Sequence, residues 1–308
     1  MDPPWICVTG FGAHIKSTKQ SLVIQKKNEC KEYPLDSVKN LMVIGGHMIN
    51  SATIAKLIKN GTYITFFEPN GAPVGTIRPY KEEYSNDLKK KQESISQYRF
   101  ATEIVKGSLK SHLVSISALE ESRGYRLFYD GEMELLRSSL EEIPYLIKMD
   151  EIKRIFLMST DMYYEIVSRD IPPEYGFRRR TAFPHSDPIN SLLSFGYSML
   201  YGNCCVSLIG SMLDPDLGVL HEGKGSLVRD LIDSFKPSMI DPVVFGYARN
   251  SLSDADFEIE SGRCLLSDST ISKLIRQFQQ SINKEILDKQ VRNFRDAILY
   301  DQEFKVLY

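Results

Sequence analysis

The pattern of apolar and polar positions divides the chain into two parts. Up to about residue 80, short apolar runs rich in β-branched and aromatic residues are separated by polar clusters, a pattern typical of strands. Asn70-Gly71, which lies between two of these runs, predicts a type I′ hairpin turn. The segment from Asn50 to Ile58, followed by Gly61, predicts one short capped helix. The predicted strands are Ser21–Gln25, Leu41–Ile44, Tyr63–Phe67 and Pro73–Ile77.

From about residue 96 onward, apolar residues recur at steps of three and four, which predicts helices. Asp187-Pro188 is typical of a helix start, and the segment that follows, from Ile189 to about Tyr201, is apolar on nearly all sides, so we expect it to be a central helix. Ser267-Asp268 predicts the start of another helix that continues through Ile286. The pattern therefore predicts an α+β protein with an N-terminal β-sandwich-like domain (1–85) and a larger C-terminal all-α domain (86–308).

The composition is that of a soluble globular protein. Of 308 residues, 42% are hydrophobic and 25% are charged. No uninterrupted apolar run reaches the roughly 18–20 residues of a membrane helix, and the N-terminal segment lacks the features of a secretory signal. The five cysteines are odd in number and include no CxxC pair, which argues against a disulfide framework or a zinc knuckle. We therefore expect a cytoplasmic protein with no membrane partner.

The formal net charge is -2, so the chain is not basic as a whole. Proteins that bind DNA over a wide surface are usually basic, so the slightly negative net charge is weak evidence against a nucleic-acid partner. A local basic patch is still compatible with it, because phosphate binding depends on the local field rather than on the total charge.

One segment carries a candidate metal site. Asp230 and Asp233 are three residues apart on a predicted helix and so share a face, and His221 precedes that helix. Imidazole nitrogen and carboxylate oxygens together suit Mn²⁺ or Mg²⁺ in phosphoryl-transfer sites. The spacing alone equally describes a solvated helix face with a packed histidine in the preceding turn.

Basic residues form a second candidate feature. Arg178, Arg179 and Arg180 are consecutive in a predicted loop, and Arg229 and Lys236 lie near the candidate metal ligands. Guanidinium groups hold phosphate oxygens in bidentate fashion, so such a loop suits a DNA backbone. A solvated loop without a partner is the alternative interpretation.

Three segments, in this order, resemble the Cas1 family, the spacer-acquisition integrases of CRISPR systems. They are DPINSLLSFGY from Asp187, LGVLH ending at His221, and SLVRDLIDSFKP from Ser226. The family pattern consists of a DPxNxLLxFGY helix, then GxLH, then SLxxDLxExF followed by a basic residue and proline. Three shorter matches accompany them, namely VIGGH at Val43, QYR at Gln97 and ISKLI at Ile271.

The resemblance implies a DNA integrase and endonuclease that inserts spacer fragments at repeat ends by transesterification and also acts on branched DNA. It implies a homodimer formed through the β domain, which by itself has a marginal core, and an integration complex with a Cas2 dimer. It implies a Mg²⁺ or Mn²⁺ centre in which His221 and either Asp230 or Asp233 act as catalytic ligands. Tyr197 and Asn190, on the predicted central helix, are either DNA contacts or packed core residues.

The third ligand that the resemblance implies is a glutamate on an earlier helix, and Phe156 stands at that position. Asp161, the nearest carboxylate that could replace it, is five residues further on, which turns a side chain by about 140° around the helix. Two hypotheses follow: an active metal-dependent integrase, in which a local shift brings Asp161 into the centre, or a catalytically impaired member retained for DNA binding or as a scaffold. A third hypothesis sets the resemblance aside and describes a cytosolic helical domain with a β dimerisation module that binds a small ligand.

Overall fold

A computed structural model describes residues 5–26, 29–69, 73–77 and 86–308. These residues form two compact units. The first contains the described residues up to Ser94 together with Gly202–Pro215, and the second contains Ile95–Tyr201 and Asp216–Tyr308. The chain is thus an α+β protein with β-sheets in its N-terminal part and a larger helical part, as the pattern of apolar residues predicted. The domain division at residue 85 stays a prediction.

The first unit contains two four-stranded sheets. One sheet has the order β1-β5-β7-β8 and the other β4-β3-β2-β6. Parallel pairing joins β1 to β5 and β5 to β7, and β8 closes the first sheet as an antiparallel hairpin with β7. The strands are β1 Trp5–Thr9, β2 His14–Ser17, β3 Ser21–Lys26, β4 Glu29–Pro34, β5 Asn40–Ile44, β6 Met48–Ile49, β7 Tyr63–Phe67 and β8 Pro73–Ile77.

The four strands that the sequence predicted lie within one residue of their observed bounds. The predicted turn at Asn70-Gly71 lies outside the described residues. Helix α1, Ser51–Lys59, begins where Asn50 accepts a hydrogen bond from the Thr53 amide at 2.7 Å, which satisfies one of the free donors of the first turn. Both sheets and α1 contribute to a single apolar core, which includes Ile15, Leu22, Leu41, Leu57 and Ile64.

Helices dominate the rest of the chain. They are α2 Asn86–Ser94, α3 Gln97–Arg123, α4 Glu132–Glu142, α5 Met149–Ser168, α6 Pro188–Gly210, α7 Ser226–Ile232, α8 Asp241–Asn250, α9 Asp268–Ser281 and α10 Lys284–Tyr300. A 3₁₀ turn (Asp233–Phe235) and a π-helical turn (Lys236–Ile240) connect α7 to α8. A hairpin of β9 (Phe257–Glu260) and β10 (Arg263–Leu266) departs from the predicted all-α composition.

The central helix begins and packs as predicted. Asp187 accepts a hydrogen bond from the Asn190 amide at 2.8 Å at the start of α6. Leu192, Leu193 and Leu200 of this helix are completely buried. Of the described helices, α6 alone is long and apolar enough to cross a membrane, with a mean hydropathy of 1.3 over 18 residues, and half of that window is buried within the protein. The mean hydropathy of α6 is therefore as high as that of a membrane helix, although the sequence has no uninterrupted apolar run of that length. The completely buried leucines are typical of a core helix.

The helix predicted from Ser267 through Ile286 is shorter than expected. Its N-terminus is confirmed, because Ser267 accepts from the Thr270 amide. It ends at Ser281, and Asn283 caps a new helix by accepting a hydrogen bond from the Ile286 amide at 3.2 Å. The predicted C-terminal end of this helix is wrong, because the spacing of apolar residues continues from α9 into α10 and does not mark the break between them.

Candidate active site

The Arg229 side chain holds the backbone of the loop that carries His221. Gly225, just before α7, adopts a φ of +66°. The Arg229 guanidinium reaches back from α7 and donates to the carbonyls of Glu222 at 2.7 Å and Lys224 at 2.9 Å. Arg229, predicted as a DNA contact, therefore uses at least two of its donors to close this loop.

Asp230 orients His221. One carboxylate oxygen accepts from the amides of Val219 at 2.6 Å and Leu220 at 3.2 Å, and the other accepts from the His221 amide at 2.9 Å and lies 2.7 Å from His221 Nδ1. A carboxylate can only accept, so Nδ1 carries a proton, and in the neutral ring Nε2 presents its lone pair. The Asp230 side chain is fully buried. Asp230 therefore positions the histidine, and both of its carboxylate oxygens are occupied by hydrogen bonds rather than available to a metal ion.

Asp233 faces the other side of the imidazole. Its Oδ1 forms an ion pair with Lys236 Nζ, one helical turn later. Its Oδ2 is buried, has no hydrogen-bond partner among the described residues, and lies 3.8 Å from His221 Nε2. A separation of 3.8 Å is too long for a hydrogen bond, and a buried carboxylate oxygen without a partner is costly. Of the two aspartates that the sequence left as alternatives, Asp233 is the one whose free oxygen faces the free imidazole nitrogen.

Phe156 on α5 lies directly against this histidine. The two rings meet edge to face, with 5.5 Å between their centroids and an interplanar angle of 89°. Phe156 is buried, whereas Asp161 on the same helix is exposed to solvent. Position 156 is therefore an α5 position in contact with the imidazole, and it carries a side chain that cannot bind a metal ion.

The side chains present fit a divalent ion only in part. His221 Nε2 and Asp233 Oδ2 converge, and the unpartnered oxygen is of the kind that a cation would satisfy. No group of three or more His, Cys, Asp or Glu side chains suited to hold a metal ion occurs within residues 5–26, 29–69, 73–77 and 86–308. The three-ligand centre that the family resemblance implies is thus incomplete, with the ring of Phe156 at the missing position.

A network of three tyrosines and one aspartate, of which only Tyr197 is half-buried and the rest are buried, lies next to this centre. Asp241 accepts from Tyr163 at 2.8 Å and from Tyr197 at 2.6 Å, and the hydroxyls of Tyr164 and Tyr197 are 2.5 Å apart. Burial raises the pKa of the Asp241 carboxyl to about 6, and it raises the pKa of each of the three tyrosines well above its usual value. The network therefore holds neutral hydroxyls at neutral pH.

Two cations lie over the ring of Tyr197. Lys236 Nζ is 5.1 Å and the Arg180 guanidinium carbon 5.3 Å from its centroid. Because Asp241 fixes the hydroxyl of that ring, Tyr197 connects the tyrosine network to the lysine that pairs with Asp233. Tyr197 is thus half-buried with its hydroxyl bonded to Asp241, and its contact with DNA stays a prediction.

The three consecutive arginines differ in their surroundings. Arg178 and Arg179 are exposed, whereas Arg180 donates to Asn190 Oδ1 at 2.5 Å and to Ser194 Oγ at 2.8 Å. Asn190 is 1% exposed, and its side-chain amide also donates to the Arg179 carbonyl at 3.0 Å. Asn190 therefore holds the basic loop from inside and has no side-chain atoms left for DNA.

Sequence reasoning assigned no role to several residues of this centre. Tyr163 and Tyr164 belong to the helix that carries Phe156, and Asp241 precedes Pro242 as Asp187 precedes Pro188. His112 on α3 stacks on Tyr163 with 4.5 Å between ring centroids, and burial lowers the pKa of His112 to about 3. The paired tyrosines and the Asp-Pro step were visible in the sequence, but their convergence depends on how α3, α5, α6 and α8 pack.

Comparison with known proteins identifies the family. The family model described as "CRISPR associated protein Cas1" matches residues 6–280. A curated relative from Methanospirillum hungatei, named "Putative CRISPR-associated endonuclease Cas1 2", is 36% identical over 299 residues, which cover 97% of this chain and 99% of the relative.

Solved structures share the fold. A chain from the structure titled "Casposase bound to integration product" superposes with a TM-score of 0.82 at 18% identity, covering 98% of this chain and 97% of its own. A chain from the "Partial Cas6-RT-Cas1--Cas2 complex" gives a TM-score of 0.78 at 18% identity and covers 98% of each chain. The family model and the Methanospirillum relative, both of which span most of the chain, lead to one conclusion: the chain is a member of the Cas1 family.

Proposed function

We propose that this chain is a DNA-binding integrase subunit of CRISPR adaptation whose own strand-transfer centre is attenuated. Its substrates would be spacer fragments, repeat ends and branched DNA. Membership of the Cas1 family supports the role in adaptation. The exposed Arg178 and Arg179 supply cations suited to a phosphate backbone.

The packing of Phe156 against His221 is the main observation in support of an attenuated strand-transfer centre. A Mg²⁺ or Mn²⁺ ion would have His221 Nε2 and Asp233 Oδ2 as protein ligands and would supply charge stabilisation for phosphoryl transfer. Because a phenyl ring occupies the third position, the only ligands left for the ion among the described residues are His221 Nε2 and Asp233 Oδ2. The Asp233 carboxylate already forms an ion pair with Lys236 through its other oxygen. Such a centre holds a divalent ion weakly, so we expect DNA binding to exceed turnover.

A fully active metal-dependent integrase and endonuclease is the second candidate. The observation that favours it is the Oδ2 atom of Asp233, which has no hydrogen-bond partner among the described residues and lies 3.8 Å from His221 Nε2. Asp230 contacts the other ring nitrogen, so Nε2 is free to bind a metal ion. If DNA or a partner subunit supplied the missing oxygen ligand, the two donors would suffice.

The assembly is also a proposal. One structural neighbour comes from a complex whose title names Cas1 and Cas2. By analogy, this chain would form a homodimer through its β-sheets and assemble with a Cas2 dimer on DNA. A cytoplasmic location follows from the same role and remains a prediction.

Binding and chemistry can be measured on the same samples. The purified chain is mixed with a branched DNA carrying one labelled strand, in Mg²⁺ or in Mn²⁺, and gel shift and strand cleavage or joining are both recorded. We expect a shift in either metal and only trace product. His221-dependent turnover, in which wild type converts the DNA within minutes and His221→Ala does not, would establish the second candidate. Absence of any shift at low salt would contradict the proposed DNA-binding role.

A further inference from the structure

A short segment that follows α10 packs back onto the helical unit. It comprises residues 301–308, and we call it the strap. Phe304 of the strap is buried, and its ring centroid lies 5.5 Å from that of Phe100 on α3 and 5.3 Å from that of Phe294 on α10. A buried aromatic side chain therefore anchors the strap between two helices.

Beyond this anchor the strap lies close against α3. Val306 faces Gly107, and a Cβ built at Gly107 would overlap the Val306 side chain. Lys110 Nζ, about one helical turn further along α3, lies 5.9 Å from the ring centroid of Tyr308. Residues three apart share a helix face, so the two contacts follow one side of α3. The close approach of the strap depends on the missing side chain at position 107.

The strap also holds the turn that carries Asp233. The Leu307 amide donates to Gln290 Oε1 at 2.9 Å, and the Leu307 carbonyl accepts from the Ser234 hydroxyl at 2.7 Å. Ser234 and Gln290 are both buried. Breaking a buried hydrogen bond leaves its groups without partners, which is costly. The residue next to Asp233 is therefore tied to a segment far away in the sequence.

The turn itself departs from regular helix. After α7 the chain continues as the 3₁₀ turn Asp233–Phe235 and the π-helical turn Lys236–Ile240. Such departures replace the regular α-helical hydrogen bonds and recur at hinges and functional sites. Asp233 Oδ2 has no hydrogen-bond partner among the described residues. Its position relative to His221 therefore follows from the backbone of the turn and from the ion pair of the other carboxylate oxygen.

We infer that the strap is a positioning element of the candidate active site, which holds the Ser234 hydroxyl and thereby keeps the Asp233 carboxylate facing His221. The inference rests on the proposed function, because it makes the strap a support of the strand-transfer centre. A strap that served the fold alone would stabilise the whole helical unit. A positioning strap restrains the turn selectively, so its release opens the turn while the remaining helices stay folded.

Amide hydrogen exchange followed by mass spectrometry distinguishes these two roles. Ser234→Ala removes the hydrogen bond to the strap, and Gly107→Ala displaces Val306 without altering the turn. Each should raise the exchange rate of the amides in residues 233–240 roughly ten-fold, the effect of losing one hydrogen bond, and leave α4 unchanged. Leu136→Ala is the matched control, because Leu136 is completely buried on α4, outside the strap and the turn. It should destabilise the protein and leave exchange in residues 233–240 unchanged.

Metal affinity connects the strap to the ligand itself. Calorimetric titration of Mn²⁺ is carried out on Phe156→Glu, which restores a carboxylate beside His221, with and without Ser234→Ala. The added substitution should weaken Mn²⁺ binding by about three-fold or more, in proportion to the fraction of molecules whose turn has left its position. Adding Leu136→Ala instead should leave the affinity unchanged.

Three results would refute the positioning role. They are unchanged exchange of residues 233–240 in both Ser234→Ala and Gly107→Ala, an equal increase of exchange in α4, and a Mn²⁺ affinity that does not respond to Ser234→Ala. A failure of the proposed function looks different. In that case wild type shifts no DNA, or Phe156→Glu binds Mn²⁺ no better than wild type, and the exchange rates still decide whether the strap restrains the turn.

Discussion

Phe156 packs the edge of its ring against the imidazole of His221, with 5.5 Å between the centroids, at the position where the family resemblance places a glutamate ligand. The remainder of the centre is intact around this contact. The histidine is oriented, Asp233 faces it, and Lys236 balances the charge. The chain thus keeps an oriented histidine with a facing carboxylate, and it carries a hydrophobic side chain where the resemblance implies a metal ligand.

Asp230 should matter more for folding than for metal binding. Its carboxylate accepts hydrogen bonds from three consecutive backbone amides, those of residues 219–221, in addition to the bond with the His221 ring. Asp230→Ala would leave these buried donors without an acceptor, and we expect a loss of about 3 kcal/mol in the free energy of unfolding, measured by urea titration. Asp233→Asn, which keeps the side-chain volume, should cost less. An Asp230→Ala variant as stable as wild type would contradict the positioning role.

The turn before α7 should tolerate no side chain at Gly225. Its φ is +66°, and a Cβ built there would lie 1.9 Å from the Tyr201 hydroxyl. Gly223 is the matched control, because its φ is +83° and a Cβ would meet nothing within 4 Å. Gly223→Ala should lose about 1 kcal/mol of unfolding free energy from backbone strain alone, and Gly225→Ala at least about 2 kcal/mol more from the clash. Equal losses in thermal or urea unfolding would show that the loop yields without cost.

The three neighbouring arginines should separate in their dependence on salt. Arg178→Ala and Arg179→Ala each remove an exposed cation, so each should lower the slope of log affinity against log salt by about 1. Arg180 is internally hydrogen-bonded, and Arg180→Ala should reduce stability and leave the slope nearly unchanged. The measurement is a DNA titration at four or more salt concentrations. A slope change in Arg180→Ala matching that of Arg178→Ala would show that Arg180 also contacts phosphate.

Asp241 should make stability fall as pH rises from about 4 to 7. Burial raises the pKa of this carboxyl from 3.8 to about 6, so the folded state binds more protons than the unfolded state across this window. The stability that the neutral carboxyl provides is complete below pH 4 and lost above pH 6, a change of about 3 kcal/mol.

Asp241→Asn has no such titration, so its unfolding free energy relative to wild type should increase by that amount between pH 4 and 7. His112 acts in the opposite direction in wild type, since burial lowers its pKa to about 3 and its neutral form is disfavoured in acid. Subtracting variant from wild type at each pH removes the His112 contribution. A difference that does not vary with pH would mean that Asp241 is ionised throughout.

The sequence allowed prediction of those features that depend on local pattern. Runs of β-branched and aromatic residues located β3, β5, β7 and β8, and capping residues located the starts of α1, α6 and α9. The β9–β10 hairpin was missed because β9 (Phe257–Glu260) has only four residues, two of which are glutamates. The break between α9 and α10 was missed although Asn283, an N-cap residue, marks it.

The site could be predicted only as a set of residues. The spacing of Asp230 and Asp233 placed both near His221, but their different roles depend on the turn that directs the amides of residues 219–221 at one carboxylate. That turn is a tertiary feature with no periodic signature. The substitution at position 156 was visible from the resemblance, whereas its contact with the imidazole required the packing of α5 against the loop.

The central claim, that Phe156 attenuates an otherwise assembled metal centre, is tested most directly by calorimetric titration of Mn²⁺ into wild type and Phe156→Glu, with Phe156→Leu as the control for ring removal. A third ligand beside His221 Nε2 and Asp233 Oδ2 should tighten Mn²⁺ binding at least ten-fold in Phe156→Glu, and the gain should vanish when His221→Ala is added. Phe156→Leu should bind as wild type does. Equal Mn²⁺ affinity in wild type and Phe156→Glu, with both variants folded, would contradict the account.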